Sequence, residues 1–284
     1  MGGTYIITLR EAFEAALLLG IVYTYLDKVG GRRHYRYVTL GGALGLLASL
    51  GVGVGLTLVS GPLLDLGPDL VAAAVIFAAV VLLTWHGWWM RQHARALKGR
   101  LQQRIDEAQS TGSLWALAFI AFAGVFREGA ETVLFLWGLL AQATSAAGWG
   151  TVVAGVAGVA SAAALGWAIF RGGKQISLQR FFTVTSVLIL FLAAGLFSAG
   201  ISKLEGLGLL PQPSALWDSS FLLSGSSVAG GFLGGLVGYR ARPTTLEVGA
   251  YVAYALAASL LLFGDVFKRR RRMPETASVD RRVA

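Results

Sequence analysis

Long runs of apolar residues recur along this chain, and they constrain its fold more than any other feature. A helix that crosses a bilayer needs roughly 20 mostly apolar residues. Seven segments qualify, at about 4–26, 37–60, 68–90, 114–141, 150–170, 181–204 and 246–267. Hydrocarbon offers no hydrogen-bond partners, so each must satisfy its own backbone as a helix. An eighth apolar stretch, 221–239, is short and glycine-rich, and reads as a re-entrant or packed segment. Only 14% of residues are charged, against about 25% in soluble domains. The expected fold is an all-α integral membrane protein with seven transmembrane helices.

Basic residues set the expected orientation. Lys28, Arg32, Arg33 and Arg36 follow the first span; Arg91, Arg95, Lys98, Arg100 and Arg104 follow the third; Arg171, Lys174 and Arg180 follow the fifth. Connections 61–67 and 142–149 carry none. The N-terminus is then outside and a basic tail, 268–284, cytoplasmic. Residues 1–9 hold no basic stretch of the kind that opens a cleaved signal. The formal charge of +9 lies in these connections and the tail, where it suits anionic lipid and not nucleic acid. With no cysteine, thiolate metal sites and cysteine nucleophiles are excluded.

Two spans hold charges that lipid penalises. The first contains Arg10-Glu11-Ala12-Phe13-Glu14 and the fourth Arg127-Glu128-Gly129-Ala130-Glu131. Each such group costs about 2.5–3.5 kcal/mol at the bilayer centre on insertion scales. At about 100° per residue, Arg10 and Glu14 lie roughly 40° apart, with Glu11 roughly 60° beyond. Each helix thus presents one polar stripe, within which the Arg and the second Glu pair at i, i+4.

The first span runs inward and the fourth outward, with three spans between motif starts. That is the pattern of an inverted 3+3 repeat, about 4–90 against 114–204, plus one C-terminal span at 246–267, all in one domain. Transporters so built bind substrate at the repeat interface near the midplane. Four carboxylates there, with Arg10 and Arg127 as counter-ions, suit a hard cation bound by oxygen. The competing reading is a pair of buried ion-pair staples. Two acids for each base leave excess negative charge, which favours the cation.

These paired Arg-Glu-x-x-Glu motifs, in the first and fourth of seven spans, resemble the oxidase-dependent iron transporter family, which includes fungal and bacterial iron permeases. Leu83-Thr84-Trp85, Trp89-Met90, Gly238-Tyr239, Pro243 and Leu246-Glu247-Val248 extend the likeness along nearly the whole chain. The resemblance implies a plasma-membrane permease, in a bacterium the inner membrane, importing iron as substrate with no tightly bound cofactor. It implies Glu11, Glu14, Glu128 and Glu131 as the iron pathway. It adds an outer site at Glu205 and an external partner that oxidises or delivers iron. The chain departs from the family at Ala12-Phe13, where Gly-Leu is usual, and at His86, where an apolar residue is expected.

His86 reads as an interior hydrogen-bonded residue, or as a proton relay or extra ligand. Asp65, Asp69, Glu205, Asp218 and Glu247, against Lys203, Arg240 and Arg242, read as ordinary surface charge or as a cation-concentrating mouth. Gly41/Gly45, Gly51/Gly55, Gly230/Gly234 and Gly231/Gly235 read as helix-packing pairs. Three function classes compete with iron: transport of another cation such as manganese or lead, an intramembrane metal-dependent protease, and a seven-span receptor. Against the protease, this sequence has no adjacent Glu-Glu pair and just one histidine inside a span. A retinal receptor would need a lysine in 246–267, which has none. An enzyme is therefore not expected.

Overall fold

The computed structural model describes residues 1–28, 30–64, 68–110, 114–141, 148–172, 178–225 and 227–271. Asp65, Lys174 and the tail from Arg272 onward, all used in the charge reading, lie outside them. The described residues form α1 (Gly2–Lys28), α2 (Tyr35–Leu64), α3 (Pro68–Ser110), α4 (Leu114–Ala141), α5 (Gly148–Gly172), α6 (Leu178–Gly206), α7 (Val228–Val237) and α8 (Thr245–Arg271). Each of the seven long apolar runs is a helix, as chains without water to bond must be.

Five stretches are long and apolar enough to cross a membrane: Arg32–Leu58, Asp69–Met90, Trp149–Ile169, Arg180–Gly206 and Thr245–Leu262. Helices α1 and α4 match them in length, at 27 and 28 residues, but carry the charged motifs. The stretch 221–239 yields only the ten-residue α7, about 15 Å long against a hydrocarbon core of about 30 Å. Ser227 caps its start by accepting from Gly230 N, and Gly238, at φ 73°, ends it. Positive φ costs glycine nothing. The missing Cβ at Gly238 also lets it meet Gly195 of α6 backbone to backbone.

Helix α1 is the axis of the bundle. Its Ile6 and Ile7 pack with Ile76, Leu83, Phe135 and Leu192 of α3, α4 and α6. Val22 and Leu26 pack with Val38, Leu117 and Ala121, and with Ile105 from the extension of α3. Phe13 stacks at a tilt on Phe181, with centroids 4.4 Å apart. Outward faces of α2 and α5 are bare apolar side chains such as Leu47, Leu58, Val153 and Val156, as lipid-facing surfaces are.

Gly41 and Gly45 face the α4 backbone. A Cβ at Gly41 would lie 2.8 Å from the Ala118 carbonyl carbon, and one at Gly45 would lie 2.7 Å from the Phe122 oxygen. Gly51 and Gly55, by contrast, have nothing within 4 Å among the described residues, so of these two pairs the first is the packing surface. Gly41→Val should cost about 1–3 kcal/mol by overpacking, read as a lower unfolding temperature in detergent, while Gly55→Val should be near neutral. Equal behaviour of the two variants would refute close α2–α4 packing.

Candidate metal centre

The two charged stripes meet. Arg10 Nε donates to Glu14 Oε1 at 2.9 Å on α1, and Arg127 Nε donates to Glu131 Oε1 at 2.9 Å on α4. The i, i+4 spacing brings both pairs within reach once each motif is helical. Arg127 Nε lies 3.8 Å from Glu128 Oε1 as well. Helix α3 inserts His86 between the stripes. Its Nε2 lies 3.9 Å from Glu11 Oε2 and 3.8 Å from Glu14 Oε2, and its Nδ1 faces Glu131 Oε2.

Ligand atoms of Glu11, Glu14, His86 and Glu128 all fall within 4.8 Å of one another. Donors bound to one first-row cation at about 2.0–2.2 Å stand up to about 4.4 Å apart. In a tetrahedral site the donors stand about 3.3–3.6 Å apart, so the ring would tighten by up to about 1.5 Å to hold one cation. All four residues are buried. Both Glu11 oxygens, Glu14 Oε2, Glu128 Oε2 and His86 Nε2 have no hydrogen-bond partner. Buried polar atoms are nearly always paired, and a carboxylate can only accept. A group that binds them in their ionised form must therefore bring hydrogen-bond donors or positive charge. Three carboxylates and one imidazole form a donor set that fits iron, manganese or zinc and disfavours cuprous ion.

The sequence-derived residues thus divide. The four motif glutamates, both arginines and His86 come together; Glu205 does not join them. Glu205, at the end of α6, is buried and accepts from Thr244 Oγ1 at 2.8 Å. Thr244 and Glu247 form a reciprocal cap at the start of α8. Glu247 N donates to Thr244 Oγ1 at 3.2 Å, and Thr244 N donates to Glu247 Oε2 at 3.1 Å. Arg240 Nη1 completes this lock, bonding Glu247 Oε1 at 2.7 Å and Ser202 Oγ at 2.8 Å. The Thr-x-x-Glu spacing is a sequence signature of a helix start and was available to find it.

Other charges of this region are paired too. Lys203 bonds Asp69 at 2.8 Å, and Arg242 lies 2.8 Å from Asp218. The Arg242 guanidinium holds the exposed Asp218 carboxyl below its usual range. Three of the five acids are thus paired with the three bases, and Glu205 is taken up by Thr244, which favours ordinary surface charge over a cation-concentrating mouth. His34 accepts from its neighbour Arg33 at 3.1 Å and is not part of the centre. One contact was not anticipated: the Arg127 guanidinium lies 4.2 Å over the Trp89 ring, within cation–π range.

Comparison with known proteins bears out the resemblance to an iron permease family. The profile of the iron permease FTR1 family matches residues 1–270. The ferrous iron permease EfeU of Escherichia coli O6:K15:H31 (strain 536 / UPEC) is 34% identical over 257 residues, covering 89% of this chain and 92% of that protein. The protein of the same name in Yersinia pestis is 32% identical over 262 residues, covering 91% and 92%. No solved structure matches the chain.

Proposed function

We propose, for a chain that belongs to the iron permease FTR1 family, that iron crosses the membrane through the ring of Glu11, Glu14, His86 and Glu128, with Glu131 beside it. It is a transporter and not an enzyme, and iron is its cargo. Its relatives are named as ferrous iron permeases, and a mixed carboxylate–imidazole set suits ferrous iron. The observation that carries this reading is Glu11: 1% exposed, with neither oxygen hydrogen-bonded. Ionised groups at membrane depth mark ion pathways by default.

Seven spans, with α1 and α4 included, are the reading we adopt. Membrane helices tolerate ionised residues that face one another across a bundle. The inverted repeat has independent support. Helix α2 lies along α4, α5 lies along α1, and α3 packs on α6, as exchange of the two halves requires. A constant step along the chain also carries Leu82, Trp85, His86 and Trp89, beside Arg127, onto Ser186, Ile189, Leu190 and Ala193, beside Arg10. The charge pattern puts the N-terminus outside and the C-terminus in the cytoplasm. A bacterial inner membrane and an external iron-oxidising or iron-delivering partner complete the proposal.

The test is uptake of radiolabelled ferrous iron in cells lacking their own high-affinity import. Glu14→Ala and Glu131→Ala, at matched membrane expression, should each fall to background, and excess manganese should leave wild-type uptake largely intact. Unchanged uptake in both variants would make the motifs structural staples. Strong manganese competition would name a different cargo.

A further inference from the structure

The two arginines are equivalent by motif and unequal in surroundings. Arg10 is 1% exposed. The space outside it, about 10 Å³, is walled by α6 and by Tyr254, Ala258 and Leu262 of α8. That is at the lower limit for a single water. Arg127 has 36% of its side chain exposed and Glu131 24%. Beside them lies a cavity of about 320 Å³ between α3 and α4, with Leu82, Trp85, His86 and Trp89 on one wall and Leu134 and Phe135 on the other. Helix α8 seals the Arg10 side, and among the described residues no helix seals the Arg127 side.

Charged side chains at membrane depth do not face hydrocarbon; they face protein or a water-filled cavity. The space is far above the roughly 10–15 Å³ that one water needs and holds several. It touches both Glu131 and His86, which bridge it to the buried ring. Arg127 lies along its wall, over Trp89. We propose that this cavity is the aqueous vestibule through which the cation reaches the ring, and that Glu131 is the first carboxylate it meets. The inference rests on the preceding reading of the ring as the iron site, and adds the route and its order.

The absence of cysteine makes single-cysteine labelling clean. Trp85→Cys and Leu134→Cys would probe the vestibule, Ala193→Cys the sealed counterpart, and Val156→Cys the apolar outer face. The reagent is a membrane-impermeant, positively charged methanethiosulfonate, applied to sealed vesicles of either orientation. Thiolate, the reacting form, needs water, so both vestibule variants should react roughly tenfold or more faster than Ala193→Cys and Val156→Cys. Ferrous iron should slow labelling at Leu134→Cys, and the charged adduct there should stop iron uptake.

Vestibule variants that react no faster than Val156→Cys, from either side, would overturn the vestibule and place lipid or a second copy against this face. If Glu14→Ala still lost uptake in that case, the iron site would stand and only the route would move. Fast labelling combined with full uptake by Glu14→Ala and Glu131→Ala would remove the ring as the destination, and the inference with it.

Discussion

Glu11→Leu is expected to make the iron-free protein more stable while abolishing iron uptake. Glu11 is buried among Glu14, His86 and Glu128, and its oxygens bond nothing. Its nearest base, His86 Nε2, stands off at 3.9 Å. Removing such a group relieves a desolvation cost that no pairing offsets. Replacing whole buried ion pairs by apolar residues of similar volume often stabilises by about 1–4 kcal/mol, and a carboxylate that bonds no partner leaves none behind when it is removed. Unfolding in detergent should therefore shift upward. Uptake should drop on the order of 100-fold, since even disturbing a group behind a metal ligand costs about 10–100-fold in affinity. Ferrous iron should stabilise the wild type by about 2.7 kcal/mol at one hundred times its dissociation constant and do nothing for the variant. A less stable Glu11→Leu protein would instead show Glu11 to be a structural partner of its neighbours.

This opposition of stability and activity explains what sequence could and could not reveal. The polar stripes on α1 and α4 were legible because i, i+3 and i, i+4 geometry is fixed by the helix alone. Their meeting followed from topology and repeat logic. His86 was visible only as a lone intramembrane histidine. Its position in the ring depends on the rotation of α3, set by distant contacts such as Phe77 on Phe197 and Leu83 in the central core. Those contacts leave no local pattern. Glu205 was weighed by its family position, yet the nearby Thr244-x-x-Glu247 spacing shows the local purpose of this cluster: it starts α8 and ties it to α6. Least legible was the unequal fate of the two motifs. Both read Arg-Glu-x-x-Glu, but among the described residues α8 lies beside Arg10 and not beside Arg127.

That inequality sets the last expectation: Arg10→Met should destabilise the protein far more than Arg127→Met. Arg10 is fully enclosed and is the hydrogen-bonding counter-ion of Glu14, which is itself only 4% exposed. Losing one partner of a buried pair leaves an uncompensated charge and costs about 3–5 kcal/mol, a large part of a typical total of about 5–15 kcal/mol. Arg10→Met should therefore accumulate poorly in membranes and unfold at lower temperature. Adding Glu14→Leu should restore accumulation without restoring uptake, because the misplaced charge goes and a ligand goes with it. Arg127 faces the vestibule, where water screens the Glu131 charge, and pairs in solvent are worth about 0–1 kcal/mol. Arg127→Met should accumulate almost normally and lose transport. Matched losses of stability in the two single variants would mean that both sides of the ring are equally sealed, and would refute the one-sided opening on which the proposed iron route depends.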